Sequence, residues 1–417
     1  MRFIHTSDWH LGQTLHGFER GFEHQCFLDW LLDTLVAEQV DALLVSGDVF
    51  DTANPSAAAQ KQLYRFLQQA KARVPHLNTV IIAGNHDSPG RLEAPGPLLE
   101  TVDATVIGFV PRGPDGQIDL QRLVVPLNSR HGHVAAWALA VPFLRPGDVP
   151  RVEDSTDPYQ DGIALLYAQA LAHAQQLRQS GQALIALGHC HMVGGQISSD
   201  SERSIVIGGS EALPSGMFDT QVAYAALGHL HLAQRVGGQQ HLRYCGSPLP
   251  LSFAEVAYPH QVLRVDLDGD KVSAITPLPV PRAVDLLRVP AQPAPLPDVL
   301  AALKALALPA QTDLQRFPYL EVRVRLDAPE PSLRSQIEAA LAPHAVRLAK
   351  IETSFAANTG PAGTAAHTSL DALEQLQPAA VFDQLFRSKY NTDTPAALSA
   401  AFTELLLADN TDEKGGA

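Results

Sequence analysis

The residues best suited to chemistry stand at the ends of apolar runs. Arg2 to Gly12 reads RFIHTSDWHLG, an apolar start that stops at Asp8 and His10. In an extended chain, side chains two residues apart share a side, so Asp8 and His10 can reach one ion while Trp9 faces away. The device returns along the chain. Ala42 to Asp48 (ALLVSGD) ends in Gly-Asp, with Asp51 three residues on. Thr79 to Asn85 (TVIIAGN) runs into His86 and Asp87. Ala183 to His189 (ALIALGH) ends in Gly-His and is followed by Cys190 and His191, and Tyr224 to His231 (YAALGHLH) ends in His229 and His231.

Asp8, His10, Asp48, Asn85, His189, His229 and His231 mix carboxylate, amide oxygen and imidazole. Such donors suit manganese, iron or zinc, without thiolate to select zinc strongly. Two ions about 3.5–4 Å apart, bridged by a carboxylate, would handle phosphate-ester hydrolysis. Asp48 is the natural bridge, because a carboxylate has two oxygens to share. His86 need not be a ligand; beside the ions it can position the phosphate or protonate the leaving oxygen. Asp87 could orient His86 through a hydrogen bond. Asp51 and His191 are candidates to support or line the site. Taken singly, each residue has a plain structural reading. Asp8 could cap a helix, Asp48 or Asp51 a turn, and Asn85 could be a turn residue tolerant of left-handed geometry. A lone histidine at a strand end can be a hydrogen-bonded surface group. Chance rarely places D-x-H, G-D-x-x-D, G-N-H-D, G-H and G-H-x-H on successive strand ends in that order.

The intervening segments must position these residues. Phe22 to Glu38 reads as a helix with Phe27, Leu28, Leu31, Leu32 and Leu35 at helical spacing. Asn54 and Pro55 read as an N-cap followed by Pro at the first helical position, opening a helix to about Ala72. Val106 to Val110, Leu123 to Leu127 and Val134 to Phe143 read as strands, and Gly162 to Gln179 as a helix. Helices between strands, with the ligands at strand ends, predict an α/β fold: a four-layer α/β/β/α sandwich with its site at the carboxyl ends of the strands. This unit is expected over residues 1–279. From 280 to 355 the pattern predicts a small α+β unit of βαβαβ form, in which Tyr319 to Leu326 alternates cleanly. Residues 356–369 are rich in Gly, Ala, Thr and Pro and read as a flexible linker. Residues 370–417 are expected to form two amphipathic helices, one carrying Phe382, Leu385 and Phe386, the other Leu398, Phe402 and Leu405. Such helices bury little of their own apolar surface and are expected to dock on another chain.

Composition sets limits. The 417 residues carry a formal charge of −14, which argues against a strongly basic nucleic-acid surface. It does not exclude a polyanionic substrate, since bound divalent cations are large local positive charges. Cys26, Cys190 and Cys245 fit neither a disulfide framework nor a zinc module, pointing to a reducing cytoplasm. The first residues read as a strand rather than a signal peptide, and no apolar run is long enough to span a bilayer.

The order SDWH, GDVFD, GNHD, GHCH and GHLH resembles the calcineurin-like metallophosphoesterases. HTSDWHLGQTLHG, AYAALGHLH and YCGSPLPLSFAE narrow the resemblance to the bacterial SbcD family of nuclease subunits. The resemblance implies one ion held by Asp8, His10, Asp48 and His231, and another by Asp48, Asn85, His189 and His229, with His86 catalytic and manganese favoured. It implies 3′ to 5′ exonuclease action on double-stranded DNA ends, and endonuclease action on single strands and hairpins, in repair, replication and recombination. The small α+β unit matches that family's capping domain in position. VFDQLFRSKY and ALSAAFTELLL resemble its helices that bind an SbcC-type ATPase. That partner would use the ATP, since no Gly-x-x-x-x-Gly-Lys-Ser/Thr phosphate loop occurs here. A homodimer, formed through helices such as 22–38 and 57–72, and a cytoplasmic, nucleoid-associated location are further expectations. The competing readings are a phosphoesterase for nucleotides or phosphoproteins, and a non-catalytic DNA-end clamp.

Overall fold

The computed structural model describes residues 1–196, 202, 212–328 and 330–355, with the isolated positions 382, 386, 395 and 398. In chain order the elements begin β1 (Arg2–Thr6), β2 (Thr14–Leu15), β3 (Phe18–Glu19), α1 (Gly21–Ala37), β4 (Ala42–Ser46), α2 (Ala57–Arg73) and β5 (Asn78–Ile82). Next come α3 (Pro89–Glu93), α4 (Gly96–Glu100), β6 (Ala104–Ile107), α5 (Leu120–Leu123), β7 (Val124–Asn128), β8 (Val134–Ala140), α6 (Pro158–Leu177) and β9 (Ala183–His189). Then follow β10 (Tyr224–Gly228), β11 (Gln234–Arg235), β12 (Leu242–Tyr244), β13 (Gln261–Asp268) and β14 (Lys271–Pro279). The last are β15 (Leu286–Pro295), α7 (Leu296–Lys304), β16 (Tyr319–Leu326), α8 (Leu333–Leu341) and β17 (Arg347–Phe355).

Among these residues two six-stranded sheets form the centre, ordered β14-β13-β1-β4-β5-β6 and β11-β12-β10-β9-β8-β7. Strands β1, β4, β5 and β6 are parallel, as are β12, β10, β9 and β8. Parallel strands covered on both faces need apolar side chains on both, which is why these segments read as continuous apolar runs. Alternation divides them. Phe3, Leu44, Val80 and Ile82 pack between the sheets against Ala138, Ile185, Leu187 and Ala226. Their neighbours Ile4, Leu43, Val45 and Ile81 face Leu28, Leu31, Leu35, Leu63 and Phe66 of α1 and α2. Helix α6 covers the second sheet with Ile163, Leu166 and Ala170. The result is the α/β/β/α sandwich.

The differences from the sequence reading are local. Helix α2 starts after Ser56, whose side chain accepts the Ala59 N–H, so Ser56 rather than Asn54 is the N-cap and Pro55 precedes it. The Ser56 hydroxyl spans the gap to the third residue on, where a free helical N–H needs a partner. The antiparallel pair β13 and β14 was not expected; β13 joins β1 and extends the first sheet beyond its parallel strands. Strands β4 and β10 also stop before their polar ends, at Ser46 and Gly228, whereas β9 runs through His189.

Beyond β14, the parallel sheet β15-β16-β17 is backed by α7 and α8 around Val299, Leu303, Leu320, Val322, Val324 and Ile337. Glu321 lies on the other face yet is 1% exposed, because Arg288, Arg323 and Lys350 gather on its carboxylate at 2.6, 3.3 and 3.2 Å. This unit meets the sandwich through Leu15, Phe253, Val284, Leu286 and Tyr319. The candidate linker and Leu385, Phe402 and Leu405 lie outside the described residues. Phe382 and Phe386, four residues apart, have ring centroids 6.4 Å apart, and Leu398 is exposed.

Candidate metal centre

The carboxyl ends of β1, β4, β5, β9 and β10 open at one edge of the sandwich. There the chain leaves regular strand geometry. Asp8, His10, Asp48 and His229 adopt φ of 54°, 47°, 48° and 100°. Non-glycine residues rarely take these values, and such strain collects where side chains must be re-aimed. Backbone bonds hold the turns together: Asp8 N–H to Gly47 O at 3.0 Å, His10 N–H to Asp48 O at 3.0 Å, and Leu11 N–H to Val49 O at 2.9 Å. Gly84 permits a close approach to the hub residue, since a Cβ there would lie 2.1 Å from Asp48 Oδ1.

Asp48 is the hub. Its Oδ2 lies 3.6 Å from His10 Nε2 and 3.4 Å from His189 Nε2, and its Oδ1 accepts the His86 N–H at 2.9 Å. Two further groupings place ligand atoms within 4.8 Å of one another: Asp8 with His10 and His231, and Asp8 with Asp48 and His189. Asn85 Oδ1 stands 2.9 Å from His189 Nε2 and 3.2 Å from His229 Nδ1. All the ligand candidates identified in the sequence therefore converge on one buried cluster, and Asp8, His10, Asp48, His189, His229 and His231 are each at most 3% exposed.

His86 sits beside this cluster, its ring 4.7 Å from that of His10, and shares a further grouping with His10 and Asp48. Its Nδ1 is 2.7 Å from the Asp51 carbonyl, which makes Nδ1 the donor and leaves Nε2 as the other tautomeric position. Asp51 supports His10 as well, with Oδ1 3.1 Å from His10 Nδ1. The orientation of His86 by Asp87 needs correcting. The Asp87 carboxylate accepts the backbone N–H groups of Val49 at 3.1 Å, Phe50 at 2.9 Å and Gly84 at 2.8 Å. It pins the loops after β4 and β5, and the His86 ring takes its orientation from the Asp51 backbone. His191 lies at the margin, its ring 6.4 Å from that of His229.

In the neighbouring loop Arg20 is 1% exposed and bound to Glu23 at 2.9 and 2.6 Å, Gln13 at 2.7 Å and the Pro250 carbonyl at 2.7 Å. Tyr319 donates to Glu23 Oε1 at 2.9 Å, so this buried group joins the sandwich to the β15–β17 unit. Trp9 packs edge-on against Phe27 and Phe66. His5 is a core histidine held by Tyr224 and the Leu227 carbonyl.

Sequence reasoning missed Glu202 and Glu255. Glu202 Oε1 accepts the His231 N–H at 2.6 Å, and Glu255 Oε1 lies 2.8 Å from His231 Nδ1. Glu255 ends the YCGSPLPLSFAE stretch, which was the available signal.

The electrostatics fit cations. Burial would raise the Asp48 carboxyl, but the charges of His189, His10 and His86 and a His189 hydrogen bond hold it well below the usual range. Burial would lower His189, yet Asp48 lifts it to about 9; Glu255 outweighs burial in the same way and lifts His231 to about 9. His229 is pushed well below its ordinary value by burial and by His189. Carboxylates that favour protons on His189 and His231 favour equally an ion in the protons' place. His10 Nε2 is buried, facing Asp48, with no hydrogen-bond partner among the described residues. These donors are what two hard or borderline divalent ions require.

The sequence itself matches a model described as calcineurin-like phosphoesterase over residues 1–233, and one described as type 5 capsule protein repressor C-terminal domain over residues 282–390. A Rhodobacter capsulatus protein named as the SbcD subunit of the SbcCD nuclease is 42% identical over 87% of this chain and 89% of its own. The chain belongs to the SbcD family of calcineurin-like phosphoesterases. Proteins of the same name from Escherichia coli K12 and Bacillus subtilis are 38% and 36% identical, over 67% and 64% of this chain and 68% and 66% of theirs. Among the described residues, no helix is long and apolar enough to cross a membrane.

Proposed function

We propose that this chain is the nuclease subunit of an SbcC–SbcD type complex and cleaves DNA phosphodiesters with two divalent ions. The observation that carries this is the convergence of Asp8, His10, Asp48, Asn85, His189, His229 and His231 around Asp48, with His86 beside them, in a chain of the SbcD family. Asp8, His10, Asp48 and His231 would hold one ion and Asp48, Asn85, His189 and His229 the other. When bound, such ions supply the nucleophile from water and neutralise charge gathering on the phosphate. The side chains do the rest. Asp48 would be the ligand shared by both ions. His86, held through Nδ1–H on the Asp51 carbonyl, would in its doubly protonated form offer Nε2–H to the phosphate and pass that proton to the leaving oxygen, ending as the neutral Nδ1–H ring. Its own N–H on Asp48 Oδ1 ties that proton donor to the ligand frame.

The same reading covers the finer points. Manganese is the preferred ion. The substrates are double-stranded DNA ends, cut 3′ to 5′, and single strands and hairpins, cut internally. An SbcC-type ATPase docks on the C-terminal segment carrying Phe382, Leu385, Phe386, Leu398, Phe402 and Leu405, and two copies of the chain pair. The protein works in the cytoplasm at the nucleoid, and the partner supplies part of the positive surface that a chain of charge −14 lacks.

The test is hairpin cleavage by the chain with and without its partner ATPase, in manganese, beside a small phosphodiester. His86→Ala is expected to lower DNA cleavage by about 10²-fold or more while both ions still bind. Cleavage that survives the change removes His86 from its role. Fast turnover of the small ester, with DNA cleavage indifferent to partner and ATP, would point instead to a nucleotide or phosphoprotein phosphoesterase. No hydrolysis of either substrate would leave a DNA-end clamp.

A further inference from the structure

The turn from Ser247 to Glu255 contributes no ligand, yet it is built around one. Glu255 is 0% exposed. Its Oε2 accepts the Leu251 N–H at 2.7 Å, and its Oε1 lies 2.8 Å from His231 Nδ1. The turn cannot drift from His231, because Ser247 donates its N–H to the His231 carbonyl at 3.1 Å. It is also fixed from outside. Gln13 donates to the Leu251 carbonyl at 2.8 Å and Arg20 to the Pro250 carbonyl at 2.7 Å. His260 closes the base, with ring nitrogens 3.0 Å from Ser247 O and 3.1 Å from Glu255 O.

We propose that Glu255 is a positioning residue for the metal centre: its Oε1 keeps a proton on His231 Nδ1 and so presents Nε2 to an ion. An imidazole with one proton can ligate only through the bare nitrogen, so whatever fixes the proton fixes the ligand atom. Glu202 is too far from that nitrogen to do this, its Oε1 being 4.0 Å away. The carboxylate is specifically required. Two donors, the Leu251 N–H and the His231 Nδ1–H, meet its two oxygens. Glutamine has one oxygen, so its amide N–H₂ must face one of them. Facing Leu251 it opposes a backbone N–H; facing His231 it donates to Nδ1 and moves the ring proton to Nε2, where it blocks the ion. The inference rests on His231 being a metal ligand.

The experiment titrates manganese into the metal-free full chain by calorimetry, for the wild type, Glu255→Gln, His231→Ala and the double variant. Glu255→Gln is expected to weaken one of two sites by about 10–100-fold. In the His231→Ala background the same change should add less than about twofold, because its effect passes through the imidazole. Wild-type affinity in Glu255→Gln, or an equal loss in both backgrounds, overturns the proposal. If His231→Ala itself leaves both sites intact, the metal-centre assignment fails first. A measurement that needs no variant stands beside this one. In the zinc-loaded wild type, nitrogen-15 spectra should show His231 protonated at Nδ1 and ligating through Nε2; ligation through Nδ1 refutes the proposal even if the variants do not fold.

Discussion

Replacing Gly84 with alanine tests whether the metal centre depends on one close backbone approach. The added Cβ would meet Asp48 Oδ1 at 2.1 Å, Asp48 N at 2.3 Å and Asp48 Cγ at 2.7 Å. The first two distances fall more than about 1 Å short of ordinary contact. Nothing flexible is available to yield. Asp48 N belongs to a turn in which His10 donates its N–H to the Asp48 carbonyl and Asp87 grips the next two amides. The strain must therefore appear as movement of the Asp48 carboxylate and of the β5 loop that carries Asn85 and His86. Overpacking of this kind costs about 1–3 kcal/mol. The functional loss is separate from that stability cost, because a misplacement of about 1 Å costs about 10²-fold in rate even in a folded protein. Gly96→Ala is the matched control: it meets nothing within 4 Å. The assay pairs manganese calorimetry with hairpin cleavage by the assembled complex. Gly84→Ala should remain folded, lose tight binding of both ions, and fall about 10²-fold in cleavage, while Gly96→Ala stays near wild type. If Gly84→Ala binds two ions with unchanged affinity, Asp48 is not the shared ligand, or the cradle is softer than these contacts indicate.

Two other outcomes follow from buried ionisable groups outside the ligand set. Arg20→Met leaves the Glu23 carboxylate buried without its guanidinium and should cost about 3–5 kcal/mol in denaturant unfolding; restoring most of that loss in Arg20→Met with Glu23→Leu would attribute it to the stranded charge, and a single-variant cost under about 1 kcal/mol would contradict it. His24 is fully buried, and burial followed by the Arg20 charge lowers its pKa to about 3. Because the folded pKa is depressed and the ring is a base, the unfolded chain takes up a proton below about pH 6.5 that the folded chain refuses. That stability is complete above pH 6.5 and lost as pH falls towards 3, at about 1.4 kcal/mol per unit. His24→Leu should therefore gain about 2 kcal/mol on the wild type between pH 8 and pH 5; parallel pH curves for the two proteins would refute the assignment.

Much of this site was legible in the chain itself. Residues of matching chemistry followed successive apolar runs, and a run that is apolar at every position has one economical use, as a strand covered on both faces. Parallel strands in register then bring their ends together without further instruction. Thr6 pairs with Val45, Ser46 with Ile82, and Gly228 with His189 across three such contacts. What the periodicity could not carry was hydrogen bonding between segments distant in sequence. Asp87 stands next to His86, which suggests a partnership, yet the fold spends its carboxylate on the amides of Val49, Phe50 and Gly84. Arg20 has Glu23 within one helical turn, but the Pro250 carbonyl and the Tyr319 hydroxyl that complete its buried setting come from far along the chain. Glu255 has no metal-ligand spacing at all, and its role depends on a turn folding back onto His231. The sequence by itself determined the donor set and the strand ends that carry it, because those follow from residue type and local period. The tertiary structure decided which carboxylate supports which imidazole, because that depends on which backbone groups are left unsatisfied once the sheets have packed.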